Sequence, residues 1–172
     1  ATSIQVLRTL AKGCADTTTQ AAAARALADT CVRGDADYFL SLLGSPDSNG
    51  ALRDAAFAGL ARAGGAAALN VVWHTLREGA LEDKRRAAKA LAEMREAIAE
   101  GDVTDLLAVP DEETKHHLLS ALERIGAKTL VSQAAAYMNT CASPSHAGEA
   151  IGVLARCGTE EAFRAIVGAL RH

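Results

Sequence analysis

The stretch "ALRDAAFAGLARAGG" at residues 51–65 has the apolar spacing of a helix, but nearly all of its side chains are small. Alanine and leucine favour helix over strand because neither is β-branched. Gly64 and Gly65 follow, and glycine readily adopts the left-handed conformation that ends many helices. Small side chains let neighbouring helix axes approach to about 8–10 Å. The stretch therefore predicts a helix packed closely between other helices, with Leu60 as a core residue.

Counterparts of Leu60 recur along the chain at a nearly constant spacing. Leu27, Leu91, Leu122 and Leu154 occupy the same position in similar stretches, at steps of 31 to 33 residues. Sixteen residues after each of these five anchor leucines stands a second large apolar residue, at Leu43, Leu76, Leu107, Met138 and Leu170. Each repeat therefore predicts two helices, and paired helices at such a period predict an α-solenoid.

Glycine marks the expected end of the first helix in several repeats. Gly64, Gly126 and Gly158 all stand four residues after an anchor leucine, where a left-handed C-cap is favourable. Arg95 stands at this position in the third repeat, so we expect the first helix of that repeat to continue further. The segment "IQVLRTLAKG" at 4–13 precedes the first repeat and predicts an additional helix without a partner of its own.

Two segments carry a resemblance to a known family: "RDAAFAGLARAGG" at 53–65 and "KRRAAKALAEM" at 84–94. They resemble HEAT repeats, specifically the short bacterial kind that is also found in phycobilin lyase-type proteins. The resemblance implies an all-α, right-handed α-solenoid of about five helical hairpins plus an orphan N-terminal helix, as a single domain over 1–172. It also implies that the first helix of each pair lines a concave, protein-binding surface. Asp47 and Arg53 match the spacing of the pair that links successive repeats in this family.

The concave surface supplies the candidate binding residues. Two residues after each anchor leucine, and at adjacent outward positions, side chains point away from the core. The candidate partner-binding residues are Arg62, Arg85, Arg86, Lys89, Glu93, His117, Ser120, Arg124 and Arg156. The cations Arg85, Arg86 and Lys89 would complement an acidic protein segment or helix, because guanidinium and carboxylate groups form paired hydrogen bonds. The alternative is a solvated face whose charges pair with one another, since Glu93 lies four residues after Lys89.

Several functional classes lack support in the sequence. It contains no GxSxG, phosphate-loop or HExxH motif, so we predict no enzymatic activity. His116 and His117 are adjacent, so they diverge by about 100° on a helix and cannot chelate one metal ion; no metal or cofactor is predicted. A net charge of −3 and the lack of concave aromatic residues argue against nucleic acid as a partner. No apolar run approaches the roughly 20 residues that cross a membrane.

The most direct functional prediction is a non-enzymatic scaffold that binds a protein partner along its concave face. The alternative, from a different class, is a phycobilin lyase-like protein that handles a bilin chromophore with a partner subunit. The aromatic content of 3% disfavours a pigment pocket, because such a pocket would be lined with rings.

The cysteines and the chain ends lead to further expectations. The cysteines are Cys14, Cys31, Cys141 and Cys157. Because they form no CxxC motif, we interpret them as free thiols in a reducing compartment, which predicts a cytoplasmic protein, with Cys157 buried. The chain lacks an initial Met, and its last helix carries apolar residues such as Phe163 and Leu170. We expect either a piece of a longer protein or self-association through an end of the solenoid.

Overall fold

The computed structural model describes residues 3–30 and 35–170. Over these two ranges the chain is all-α, with eleven helices and no β-strand. The helices are α1 (Ser3–Gly13), α2 (Thr17–Asp29), α3 (Ala36–Gly44), α4 (Gly50–Ala63), α5 (Ala66–Glu78), α6 (Leu81–Glu93), α7 (Glu100–Leu106), α8 (Glu112–Ile125), α9 (Leu130–Thr140), α10 (Pro144–Cys157) and α11 (Glu160–Ala169). The all-α prediction is confirmed. Among the described helices, none is both long enough and apolar enough to cross a membrane.

The helix ends follow local chemistry. At four N-termini an Asp, Asn or Thr side chain accepts a hydrogen bond from the backbone N–H three residues later, which satisfies an otherwise unpaired donor. These N-caps are Asp16, Asn49, Asp111 and Thr159. The three predicted C-cap glycines, Gly64, Gly126 and Gly158, all have a positive φ. Gly126 and Gly158 adopt the left-handed helical conformation, whereas the ψ of −162° at Gly64 places it outside that region.

The third repeat differs from its prediction. We expected its first helix to continue past Arg95, but α6 ends at Glu93 and Met94 has an extended backbone. Two contacts account for this early end. The Met94 side chain is fully buried, and the carboxylate of Glu96 turns back to accept a hydrogen bond from the Gly65 amide at 2.6 Å. A continued helix would give up both contacts.

The anchor leucines form the core. Leu27, Leu60, Leu91, Leu122 and Leu154 lie on α2, α4, α6, α8 and α10, and all five are fully buried. The chain divides into two compact units, an N-terminal unit over 1–96 and a C-terminal unit over 97–172. In the N-terminal unit, α4 packs between α2 and α6, while α1 packs on α2, α3 on α4 and α5 on α6. In the C-terminal unit, α10 packs on α8, α9 and α11, while α7 packs on α8.

The glycine in the middle of α4 marks a close approach between two helices. A Cβ atom on Gly59 would lie far inside van der Waals contact with the ring of Phe39 on α3. That ring is fully buried and lies against Tyr38, with 5.2 Å between the ring centroids. The glycine of this stretch at position 59 is therefore explained by a specific neighbour, the Phe39 ring.

The second set of predicted anchors is correct in part. Leu76 and Met138 are buried, but Leu170 is 75% exposed. Leu43 is half-buried because α3 turns its neighbour Leu42 into the core instead. Leu107 follows the last residue of the short α7 and is also half-buried. The second helices are thus less regular than the first.

Candidate functional site

The predicted partner-binding residues all lie on helices that carry an anchor leucine, but they divide between the two units. Those in the N-terminal unit are Arg62 on α4 and Arg85, Arg86, Lys89 and Glu93 on α6; those in the C-terminal unit are His117, Ser120 and Arg124 on α8 and Arg156 on α10. A single concave surface that includes both groups stays a prediction.

In the N-terminal unit, Arg86 belongs to a network of four charges that joins α4 to α6. Arg53 donates two hydrogen bonds to the Asp83 carboxylate, at 2.8 and 2.6 Å. Arg86 donates to the same carboxylate at 3.1 Å and also to Asp54. Two cations and two anions make this network neutral overall. We refer to Arg53, Asp54, Asp83 and Arg86 as the α4–α6 network.

The α4–α6 network corrects the pairing that the family resemblance implied. Arg53 was expected to pair with Asp47, but it pairs with Asp83. Asp83 lies on the neighbouring anchor helix and is only 16% exposed, so a guanidinium that forms two hydrogen bonds to it is a favourable partner. These bonds from Arg53 hold the pKa of Asp83 below its usual value, despite an opposing effect of burial.

The remaining cations of the predicted cluster are more accessible. Arg85 forms an ion pair with Glu82 one turn earlier, at 2.9 Å. Lys89 is exposed, and the described part of the chain offers it no ion-pair partner. The predicted cluster therefore consists of one cation held within the fold, one paired along its own helix and one facing solvent. Mutual pairing of charges therefore describes Arg85 and Arg86, whereas a binding patch stays a prediction.

A polar groove of about 460 Å³ lies at the C-terminal ends of α2, α4 and α6. Arg62 crosses it, donating a hydrogen bond to the backbone carbonyl of Asp29 at 3.0 Å and lying 3.3 Å from its carboxylate. Glu93 and Arg95 also line the groove and are exposed. The groove thus carries charges of both signs.

The C-terminal unit contains a cluster that sequence reasoning missed. The Nδ1 atom of His116 lies 3.0 Å from the carboxylate of Glu149, and the Nδ1 atom of His146 lies 3.3 Å from that of Glu112. The two imidazole rings stack with 6.0 Å between their centroids and 10° between their planes. The members of each pair are 33 or 34 residues apart, so a search for histidine and glutamate residues one repeat apart would have found them.

Glu112 also supports a turn in the same unit. Its carboxylate accepts a hydrogen bond from the Ala142 amide, and its backbone carbonyl accepts one from the buried Tyr137 hydroxyl at 2.9 Å. The bond from the Ala142 amide, followed by the one from His146, lowers the pKa of Glu112. Glu100 has a similar role, since it accepts bonds from the hydroxyl and amide of Thr129, which lower its pKa.

The other predicted binding residues of the C-terminal unit differ in their contacts and in their exposure. The Ser120 hydroxyl donates to the His116 carbonyl of its own helix at 3.2 Å. Arg156 forms two hydrogen bonds with the Glu123 carboxylate on α8. His117 is half-buried and Arg124 is exposed. Ser120 and Arg156 thus contribute to helix and interhelix bonding within this unit.

The cysteines show little chemical activation. Cys14, Cys141 and Cys157 are free thiols, whereas Cys31 lies outside the described residues. Cys157 was expected to be buried but is half-buried, because it occupies the last position of α10. Burial and a nearby glutamate raise the pKa of both Cys141 and Cys157. These two thiols therefore stay protonated at neutral pH and are weak nucleophiles.

Neither metal-binding geometry nor sequence similarity identifies a function. Over residues 3–30 and 35–170, no group of three or more His, Cys, Asp or Glu side chains is placed to hold a metal ion. No known family model matches the chain, and no curated protein is significantly similar to it.

Proposed function

We propose that this chain is a non-enzymatic protein-interaction module, built as a right-handed HEAT-like α-solenoid over residues 1–172. The observation that carries the proposal is the set of five fully buried anchor leucines at steps of 31 to 33 residues, each on its own helix. Stacked repeats bury their cores against neighbours and leave long surfaces available for partners.

Polar bonds between helices support the same repeat. Arg62 bonds to Asp29, 33 residues earlier, and Arg86 bonds to Asp54, 32 residues earlier. In the other unit Arg156 bonds to Glu123, again 33 residues earlier. At three places, therefore, an arginine on one anchor helix bonds to the preceding anchor helix. This is expected for repeats that recur in space as well as in sequence.

The proposed partner is an acidic protein segment or an acidic helix. Lys89 and Arg85 on α6 are the cations that would contact it first, with Arg62 from α4 adding a third charge. Arg86 has a different role in this proposal, because the α4–α6 network holds it in place. Arg86 would hold the partner-binding face in place, while Lys89 and Arg85 would bind the carboxylates of the partner. Desolvated contacts of this kind are worth about 2 kcal/mol or more to a complex.

The experiment combines capture from lysate with a defined acidic probe. The full chain and the double variant Arg85→Glu, Lys89→Glu would be compared for proteins captured from lysate and for binding of a synthetic Glu-rich helical peptide. We expect the double variant to bind about 30-fold more weakly, which corresponds to about 2 kcal/mol. Its melting temperature should change little, since Lys89 is exposed, the Arg85–Glu82 ion pair lies near the surface, and surface charges contribute under about 1 kcal/mol each.

Arg77→Glu on α5 is the matched control, because Arg77 is an exposed cation on a second helix. It should retain wild-type binding. If the double variant binds both the captured proteins and the peptide as tightly as the wild type does, the proposed face is wrong. A change in visible absorbance on incubation with a bilin would instead favour the lyase-like alternative, since a plain scaffold gives no such change.

A further inference from the structure

The charges on the outer side of α6 change sign towards the C-terminal end of the helix. Arg85, Lys89 and Glu93 follow one another at intervals of four residues. Four residues advance about 6 Å along a helix and turn about 40° around its axis, so the three side chains form one inclined row about 12 Å long. The buried residues Ala87 and Leu91 lie on the other side of the helix. We refer to Arg85, Lys89 and Glu93 as the α6 row.

The members of the α6 row are accessible to a partner. Lys89 and Glu93 are exposed, and the Arg85 side chain is 30% exposed. Arg85 pairs with the exposed Glu82 on its own helix, and a carboxylate from a partner can take the place of such a surface contact. Among the described residues, neither Lys89 nor Glu93 has an ion-pair partner. The α6 row therefore presents two cations followed by one anion.

The anionic end of the α6 row lies at the polar groove of about 460 Å³ in the N-terminal unit. Three anchor helices end there, because Asp29, Ala63 and Glu93 all line the groove and are the last residues of α2, α4 and α6. The last carbonyl groups of a helix carry a partial negative charge, which stabilises a nearby cation. The ends of three helices therefore make this groove more favourable for a cation than for an anion.

The charged side chains of the groove have the same preference. They are Asp29, Arg62, Glu93, Arg95 and Glu96, which amounts to three carboxylates and two guanidinium groups. Arg62 and Asp29 pair with each other. One oxygen of Glu96 accepts the hydrogen bond from the Gly65 amide, and the described residues offer no donor to its buried Oε2 atom. The groove therefore retains one negative charge that a basic side chain from a partner would neutralise.

A helix is the kind of partner segment that fits the α6 row. The side chains on one side of a helix also recur at intervals of four residues, so three of them can lie opposite the three members of the row. An extended segment typically binds by adding a strand to the edge of a sheet, and the described residues form no strand. Charge complementarity then requires two acidic residues and one basic residue, with the basic residue at one end.

We propose that the partner is a helix on which two acidic residues and a terminal basic residue recur at four-residue intervals. The acidic residues would contact Arg85 and Lys89, and the basic residue would enter the polar groove beside Glu93 and Glu96. This inference rests on the proposed function and adds a requirement to it. A helix with only acidic residues in its row would place a carboxylate against Glu93, and this repulsion would weaken the complex.

Three synthetic helical peptides of equal length test this requirement, with binding to the full chain measured by isothermal titration calorimetry. Their rows carry Glu-Glu-Lys (the matched peptide), Glu-Glu-Glu (the acidic peptide) or Glu-Lys-Glu (the interchanged peptide) at four-residue intervals. We expect the full chain to bind the matched peptide about tenfold more tightly than either of the others, because both others set like charges against the α6 row. The matched and interchanged peptides have the same composition, so net charge cannot account for a difference between them.

Substitution of Glu93 supplies the reciprocal test. Glu93→Lys should reverse the preference, so that the acidic peptide binds more tightly than the matched one. A cation at the last residue of α6 is compatible with the negative end of that helix, and circular dichroism would establish that the variant is folded. Glu78→Lys is the matched control, since Glu78 is an exposed carboxylate at the last residue of α5 and does not line the groove. It should retain the wild-type order of affinities.

The outcomes separate this inference from the proposed function. If the full chain binds the acidic peptide at least as tightly as the matched one, or if Glu93→Lys leaves the order unchanged, the requirement for a terminal basic residue is wrong and the partner-binding face still stands. If no peptide binds, or if the double variant Arg85→Glu, Lys89→Glu binds all three as tightly as the wild type does, the proposed function is wrong, and this inference is wrong with it.

Discussion

At one place in each unit, a link between neighbouring anchor helices covers a similar distance in sequence but uses different chemistry. In the N-terminal unit the link between α4 and α6 is the network of Arg53, Asp54, Asp83 and Arg86, in which side chains of opposite charge meet. In the C-terminal unit, the Glu112 carboxylate forms hydrogen bonds with the backbone amide of Ala142 and with the imidazole of His146. The comparison teaches that repeat spacing determines where a link forms, whereas the individual residues determine its strength and pH dependence. The predictions below test this difference.

The largest effect is expected at the closest helix contact of the N-terminal unit. Gly59→Ala places a Cβ far inside van der Waals contact with atoms of the fully buried Phe39 ring, so the ring or the helix would have to shift. Overpacking of this kind costs about 1–3 kcal/mol, more than the roughly 1 kcal/mol that alanine gains over glycine as a helix former. We therefore expect the free energy of unfolding to fall, by up to about 2 kcal/mol, in urea denaturation.

Gly152→Ala in α10 is the control from the C-terminal unit. A Cβ there would lie 3.4 Å from the Arg156 side chain, an ordinary contact. This variant should be as stable as the wild type or up to about 1 kcal/mol more stable. If both variants are stabilised, the Gly59–Phe39 contact does not constrain the N-terminal unit.

A smaller effect should follow from breaking the α4–α6 network. Asp83→Asn removes the charge that Arg53 and Arg86 share and leaves two half-buried cations without their common partner. Hydrogen bonds to charged groups contribute about 1.5–3 kcal/mol when well buried, but both arginines here are partly exposed and solvent reduces that value. We expect a loss of about 1 kcal/mol in thermal or urea unfolding.

Glu82→Gln provides the comparison for Asp83→Asn. Glu82 pairs with Arg85 along the same helix and is 64% exposed, so its loss should be hardly measurable. Equal effects of the two substitutions would mean that the α4–α6 network is no stronger than a surface ion pair.

The smallest effect concerns pH and the C-terminal unit. The pKa of Glu112 is lowered in the folded chain from a reference value of 4.5. Its contribution to stability is therefore complete above pH 4.5 and is lost as the pH falls through the lower, folded-state pKa. Glu112→Gln should be less stable than the wild type at pH 7, and the difference should shrink below pH 4.5.

Melting curves between pH 3 and 7 would measure this difference, with the exposed Glu161→Gln as a control at concentrations where the chain is monomeric. The control should follow the wild type throughout. A difference between Glu112→Gln and the wild type that stays constant down to pH 3 would contradict the assigned role of the carboxylate.

The regular part of the fold was accessible from the sequence because one physical requirement repeats. Every first helix must bury a leucine among small residues, so the positions equivalent to Leu60 identify α2, α4, α6, α8 and α10 without further information. The second helices follow this rule less well. α3 buries Leu42 in place of Leu43, because Phe39 packs against Gly59 and so determines which side of α3 faces the core.

The links between helices were harder to predict for a different reason. Arg53 has several acidic residues within reach in the sequence, and only the packing of α4 on α6 places Asp83 next to it. The early end of α6 depends similarly on Glu96 reaching the Gly65 amide, which is a contact between distant residues. Local sequence patterns do not contain such contacts. The position of the candidate cluster could therefore be predicted from the sequence, whereas the ion pairs of Arg86 with Asp54 and Asp83 could not.

The nearly uniform spacing of the interhelix bonds has a consequence for synthesis of the chain. The polar bonds between helices described above join positions at most 34 residues apart. Such local contacts are typical of rapidly folding helical proteins. Within each unit, a new anchor helix that leaves the ribosome can therefore bond to the one before it, without waiting for a distant segment to be translated. We expect the helices of each unit to fold in the order in which they are translated.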